Sequence, residues 1–200
     1  MIDFYRDIGD AWHATYFRCI HFGRTYKIQR GSFAGQQRKQ LDALTFVIEH
    51  PENRPLGVTF GGIAISDDES IHRYYEDYLI NPTVAPKEEY TDSSRIAPHL
   101  ESVAAMLRET PNTNQAFIPV AKPGDHLLTD PPCLQTLTWK WTGEGLQLTS
   151  FWRSWDVYGA LATNLGGLQL LNEMMAEWAG LTPGRLVAYS DGAHVYDYAW

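Results

Sequence analysis

The sequence predicts an α/β (α+β) domain in which helices flank a β-sheet, and three observations carry that reading. Apolar residues recur at helical spacing in four separate stretches. Between them lie runs rich in β-branched and aromatic residues, two of which are joined by a tight turn. The chain of 200 residues, 44% hydrophobic and 20% charged, has the size and composition of one folded core, so residues 1–200 are read as a single domain.

Taken in order, Phe4, Ile8, Trp12, Tyr16 and Cys19 fall on one face of a first helix ending near Gly23. Leu44, Phe46 and Ile48 alternate with Thr45 and Val47, which predicts a strand over 43–48 closed by Pro51. Ser66 followed by Asp67, Asp68 and Glu69 is an acidic helix start, leading to Ile71, Tyr74, Tyr75 and Tyr78. A further helix spans about 94–108 on Ile96, Leu100, Val103 and Leu107, with Pro98 early enough to be tolerated. Residues 116–120, 133–141 and 146–153 read as strands, and Thr142-Gly143-Glu144-Gly145 turns the last two into a hairpin. Leu161, Leu165, Leu168, Leu171, Met175 and Trp178 trace a long buried helix stopped by Gly180, after which Pro183-Gly184 leads into a last strand pair.

A net charge of −8 argues against a protein that holds a nucleic-acid polymer on a basic surface, although a few arginines suffice for one nucleotide. Two cysteines are too few for a disulfide-stapled secreted scaffold. The first residues show no leader-like pattern, and no apolar stretch approaches the ~20 residues of a membrane span. A cytoplasmic location with reduced thiols, no membrane association and no metal is expected.

The hairpin makes a geometric prediction. A turn centred near Gly143 places Cys133 opposite Arg153 or Ser154. Directly opposed residues have Cβ atoms ~5 Å apart, so a thiol and a guanidinium would share one face, and a neighbouring cation favours the nucleophilic thiolate. A free cysteine is more often a small buried hydrophobe, which is how Cys19 is read. Pro131-Pro132 before Cys133 and an arginine across the ladder are unusual surroundings for an inert thiol.

The run Pro131-Pro132-Cys133, then Arg153-Ser154-Trp155-Asp156-Val157, Asn164, Pro183-Gly184 and His194-Val195-Tyr196 resembles the catalytic half of the thymidylate synthase superfamily. Arg30-Gly31-Ser32 with Ile48-Glu49-His50-Pro51 is similar to its shorter, archaeal-type branch. The resemblance implies a mainly antiparallel central sheet with flanking helices, a homodimer formed sheet to sheet, and methylation of dUMP to dTMP with 5,10-methylenetetrahydrofolate. Cys133 would add to C6 of the pyrimidine, because C6 is a weak electrophile and a thiolate adduct makes C5 carbanion-like. Arg153, Ser154 and Arg30 would hold the phosphate of the nucleoside monophosphate. Asn164 would read the O4 and N3–H edge of uracil, with His194 and Tyr196 on the sugar and Asp156 on the reduced folate. Glu76 is the candidate acid/base glutamate. Trp139, Trp141, Trp152 and Trp155 would furnish apolar surface for the dimer or the folate.

Four departures from the family pattern stand out. Asn114-Gln115 occupies the place of a paired arginine that reaches across the dimer. Leu134 follows the nucleophile where a histidine is common, and Asp92 stands where a tyrosine is expected. The family pattern puts the acid/base glutamate at or before the helix of residues 67–80, where Glu76 is the candidate. The chain also stops at Trp200, where longer relatives continue into a tail over the folate. A less enclosed site would admit water at the methylene stage, so a dUMP, dCMP or CMP hydroxymethylase is the alternative. A non-catalytic nucleotide-binding relative is a third reading. His50-Pro51-Glu52 with Pro132-Cys133 superficially suggests a zinc deaminase, but Thr136 stands where the second cysteine ligand is required.

Overall fold

A computed structural model describes residues 2–84 and 89–200. Strand β1 (Asp3–Tyr5) leads into helix α1 (Ile8–Phe22), followed by β2 (Arg24–Lys27), β3 (Gln37–Ile48), β4 (Val58–Phe60) and β5 (Ile63–Ser66). Helix α2 (Asp68–Tyr74) widens into a π-helical turn over Tyr75–Ile80, and α3 (Asp92–Ile96) and α4 (Leu100–Glu109) follow. Strands β6 (Phe117–Pro119), β7 (Leu134–Trp141), β8 (Leu146–Trp152) and β9 (Trp155–Asp156) precede helix α5 (Ala162–Ala179) and strand β10 (Pro183–Tyr196).

The main sheet runs β1-β3-β10-β8-β7-β6, with β2 added to β3 and β9 to β10. It is mixed rather than mainly antiparallel. β1/β3, β8/β10 and β9/β10 are parallel, whereas β2/β3, β3/β10, β6/β7 and β7/β8 are antiparallel. Helix α5 between β9 and β10 is the crossover that a parallel neighbour requires. Two other expectations are corrected. Phe4 lies on β1 and is 60% exposed, so the helical stripe begins only at Ile8, capped by the Asp7 carboxylate. One continuous strand, β10, replaces the last strand pair.

The two faces of the sheet differ. Phe46, Ala188, Ser150, Leu137 and Ile118 are successive cross-strand partners from β3 to β6, and all five are buried beneath the helices. One residue further along, Phe4, Val47, Val187, Thr149, Thr138 and Phe117 form a row across six strands on the opposite face. Its ends, Phe4 and Phe117, are largely exposed, as is Phe151 on the same face. Trp139, Trp152 and Trp155 belong to the covered core, the last two stacked at 4.2 Å, so only Trp141 of the four hairpin tryptophans retains substantial exposure. Among the described residues, no helix is long and apolar enough to cross a membrane.

Helix α5 sits close to α2 because two glycines face it. A Cβ on Gly166 would lie 2.7 Å from Ile71 Cδ1, and one on Gly167 would lie 2.5 Å from Tyr74 Cδ1. Even a methyl group at either position would push α2, and Tyr74 with it, out of place.

Candidate active site

Cys133 sits at the mouth of the β7/β8 hairpin, one residue before β7. Its carbonyl accepts the Arg153 amide at 2.9 Å, the pairing that the turn geometry predicts. A register shift between Leu134 and Thr136 re-aims the strand there. The thiol is exposed, whereas Cys19 is buried and its thiol is pushed up to about 12 by desolvation.

The guanidinium of Arg153 does not bond the thiol. Nε and Nη2 donate to the carbonyls of Pro132 and Pro131 at 3.0 and 2.6 Å, and Nη1 donates to Ser154 Oγ at 3.2 Å. Neither proline has an N–H of its own, so the guanidinium holds the nucleophile's loop in place through its carbonyls. The polar atom against the sulfur is Ser154 Oγ, at 3.4 Å.

Two cavities meet at Cys133. The smaller, about 250 Å³, brings together Arg30, Ser32, Cys133, Arg153, Ser154, His194 and Tyr196. It also contains Arg38, which the sequence reading missed. Arg38 lies on β3 directly opposite Tyr196, and its buried Nε has no hydrogen-bond partner among the described residues. Asn114 and Gln115 are exposed ahead of β6 and line neither cavity at Cys133.

His194 is buried, and Nδ1 lies 2.8 Å from the Gly192 carbonyl. A carbonyl only accepts, so Nδ1 carries the proton. Burial, helped by the charges of Arg38 and Arg153, depresses the imidazole to about 4, leaving it neutral at pH 7 with an unpartnered Nε2 lone pair. Burial pushes the Tyr196 phenol up to about 12, so it remains a donor, and Phe33 stacks on its ring at 4.2 Å.

The larger cavity, about 570 Å³, is lined by Tyr78, Tyr90, Asp92, Asp130, Pro131, Pro132 and Cys133, with Glu89 at its edge. Burial raises the Asp92 carboxyl to about 6, an effect that the Arg95 charge only partly offsets. Arg95 is itself engaged, pairing with Asp125, donating to the Val120 carbonyl at 2.8 Å and stacking 4.1 Å over the Tyr90 ring.

Three predicted residues lie outside both cavities. Asn164 is buried on α5, where its Oδ1 accepts the Trp155 indole N–H at 2.9 Å and the Tyr74 phenol lies beside its amide. With one amide hydrogen directed to the Tyr74 phenol, the second Oδ1 lone pair and the other amide hydrogen remain. Asp156 caps the turn that follows it, accepting the amides of Tyr158 and Gly159 at 3.1 and 3.0 Å and the Tyr198 hydroxyl at 3.4 Å. Glu76 is exposed on the π-helical turn and makes no side-chain hydrogen bond among the described residues. His50 and Glu52 line a separate cavity with Glu144 and Arg185, and so do not join Cys133.

The arrangement is an exposed thiol flanked on one side by cations and hydroxyls and on the other by phenols and a carboxyl. Comparison with known proteins agrees with it. The family model described as "Thymidylate synthase" matches residues 73–199. A Methanosarcina mazei protein named "Putative thymidylate synthase" is 31% identical over 98% of this chain and 89% of its own. One of the same name from Methanopyrus kandleri is 37% identical over 65% of each chain, and one from Methanosarcina acetivorans is 30% identical over 98% of this chain and 89% of its own. Family model, near-full-length archaeal relatives and the residues around Cys133 agree that the chain belongs to the thymidylate synthase family, in its short, archaeal-type branch.

Proposed function

We propose that the protein methylates dUMP to dTMP through a covalent bond between Cys133 and C6 of the pyrimidine. The observation that carries this reading is the position of Cys133 at the junction of an arginine-lined and a phenol-lined cavity. In the first, Arg30, Arg38 and Arg153 bind the phosphate, with Ser32 and Ser154 as hydroxyl donors. Neutral His194 accepts a sugar hydroxyl at Nε2, and Tyr196 donates to the sugar. Asn164 orients the base through the amide hydrogen and lone pair that Tyr74 and Trp155 leave available. The second cavity has the size of a ligand pocket, and the flat surfaces of Tyr90, Pro131 and Pro132 suit an aromatic heterocycle such as the pterin of a reduced folate. When bound there, 5,10-methylenetetrahydrofolate supplies the one-carbon unit and then the hydride. Asp156 reaches the folate only if its Oδ2 releases the Tyr198 hydroxyl.

One observation favours a second reading. Tyr78 is 45% exposed, and Glu89 and Cys133 are also exposed, so the larger cavity admits water to the carbon being transferred. Water in place of hydride gives a hydroxymethylated pyrimidine nucleotide. Incubation with 5,10-methylenetetrahydrofolate and, separately, dUMP, dCMP and CMP, followed by mass spectrometry of the nucleotide, distinguishes the two. A methyl gain on dUMP supports the synthase, a hydroxymethyl gain identifies the hydroxymethylase reading and its base, and no change in any nucleotide rejects both.

The exposed phenylalanines Phe4, Phe117 and Phe151 on one sheet face support a homodimer packed through the row from Phe4 to Phe117. Sedimentation of Phe151→Asp as a monomer, against a dimeric parent, would support that interface; a monomeric parent would remove it.

A further inference from the structure

We propose that Asp92 is the catalytic residue that takes the C5 proton from the pyrimidine held on Cys133. This rests on the covalent reading given above. Asp92 and Cys133 line the same cavity, and Glu76, the other candidate, lines neither of the cavities at the thiol. The phenols of Tyr74 and Tyr90 both feel the charges of Asp92 and Cys133, and Tyr74 lies beside the amide of Asn164. The thiol and the carboxyl therefore share one cavity, while the Asn164 amide lies outside it, beside Tyr74.

The position of Asp92 is fixed from below. Thr91 caps α3, accepting the Ser94 amide at 3.1 Å while Ser94 Oγ accepts the Thr91 amide at 3.3 Å. Ser93 Oγ is 2.8 Å from Thr91 Oγ1 and donates to the Asp77 carbonyl at 3.1 Å, tying α3 to the π-helical turn of α2. The carboxyl itself accepts no hydrogen bond among the described residues. Its nearest cation, Arg95, is held by Asp125 and Val120. A half-buried carboxyl that lines the cavity at the thiol, is anchored through its backbone and has no hydrogen-bond partner among the described residues points to a substrate group that meets it.

The groups that face Asp92 are Arg95 on its own helix, Tyr74 and Tyr78 on α2 and its extension, Glu89 and Tyr90 ahead of α3, and Asp130 with Cys133 on the hairpin loop. Burial dominates this balance and brings the carboxyl to about 6, where the carboxylate is the main form at pH 7 and the acid is accessible. The step balances as follows. Once sulfur is bonded to C6 and the one-carbon unit to C5, the Asp92 carboxylate takes the C5 proton and becomes the acid. The C–H pair forms the double bond from C5 to the one-carbon unit, and the bond from that unit to the folate nitrogen breaks, its pair leaving on nitrogen.

The test uses Asp92→Asn and Asp92→Glu beside the parent, with dUMP tritiated at C5 and 5,10-methylenetetrahydrofolate, from pH 5 to 8. A parallel incubation with 5-fluoro-dUMP and the same folate traps the adduct, because C5 then carries no removable proton. The parent should release tritium at a rate that rises with pH through about 6. Asp92→Asn should release it at least a hundredfold more slowly while still forming the 5-fluoro adduct, and Asp92→Glu should recover part of the rate. Tritium release at the parent rate by Asp92→Asn overturns the proposal. So does loss of the adduct in both variants, which would place Asp92 before the proton step. A parent protein that forms no adduct overturns the covalent reading itself, and is distinguished by occurring without any substitution.

Discussion

The two cavities at Cys133 are built from opposite chemistry. The smaller is cationic, with Arg30, Arg38 and Arg153 beside a neutral histidine, and it is walled by β3, β10 and the end of the hairpin. The larger is phenolic and acidic, with Tyr78, Tyr90 and Asp92, and it is walled by the end of α2, the start of α3 and the loop from Thr129 to Cys133, whose Asp130 lines both cavities. The first is suited to a fixed anion, for which forked donors on rigid strands give orientation. The second is suited to moving a proton, for which desolvated groups near neutrality are required. Cys133 lines both, as the proposed reaction requires, since that reaction would join an anchored nucleotide to a carbon delivered from the other side.

The sharpest way to break this picture is to remove the shared group. Cys133→Ala should lower turnover by at least ~10³-fold while dUMP affinity stays within about threefold, since the anchoring groups survive. Turnover retained by this variant, measured as product formed per hour, would remove the covalent mechanism altogether.

The next largest effect separates the cavities. Arg153→Ala and Arg38→Ala should each weaken dUMP binding by roughly 10- to 100-fold, the range for a charge-assisted bond to phosphate, and leave deoxyuridine binding nearly unchanged. Arg38 is the cleaner probe, because Arg153 also holds the carbonyls of Pro131 and Pro132. Titration calorimetry with the nucleotide and the nucleoside decides it. Equal losses for both ligands would mean that these arginines act on the loop rather than on phosphate.

Which of these residues were legible in the sequence follows from how each reaches the site. Cys133 and Arg153 are paired by a short hairpin, a local relation that turn spacing fixes. The stripes of α1 and α5 were legible for the same reason, because a helix buries one face at a period of 3.6, whereas the single helix expected over 94–108 is broken by a 3₁₀ turn over Ala97–His99 at Pro98, leaving Ile96 on α3 and the rest of its stripe on α4. Arg38 was not, since Gln37 to Gln40 is a polar run with little β propensity that becomes strand only by pairing with β2 and β10. Phe4 misled because it stands four residues before Ile8, a helical interval, although parallel pairing with Phe46–Ile48 draws it into the sheet. Asp92 had a local signal only in its capping threonine, and its meeting with the thiol is a product of tertiary packing.

A smaller effect concerns stability. Burial depresses His194 from its ordinary 6.5 to about 4, so between those values the unfolded chain binds a proton that the folded chain refuses. This group's contribution is complete above about pH 6.5 and is lost as pH falls towards 4. Asp92 acts in the other direction. Its carboxyl is raised from 3.8 to about 6, the folded chain binds the extra proton, and stability falls as pH rises through that window. His194→Gln should therefore lose roughly 2 kcal/mol less than the parent between pH 7.5 and 5.0 in urea denaturation. Parallel losses would show that the buried imidazole is not what resists acid.

The smallest expected change is at Glu76, and it tests the boundary of the acidic cavity. The π-helical turn over Tyr75–Ile80 points Leu79 inward, fully buried, and leaves Glu76 in solvent on a surface that lines neither cavity. An exposed carboxylate without a partner contributes within about 0.5 kcal/mol to stability, and one that does not reach the substrate contributes nothing to the proton step. Glu76→Gln should therefore leave kcat and KM within about twofold of the parent, and its melting temperature nearly unchanged. A tenfold fall in kcat with unchanged KM would mean that the turn rearranges when substrate binds, bringing Glu76 inward. The proton chemistry would then belong to α2 rather than α3, and the division between an anion-holding and a proton-moving cavity would have to be redrawn around it.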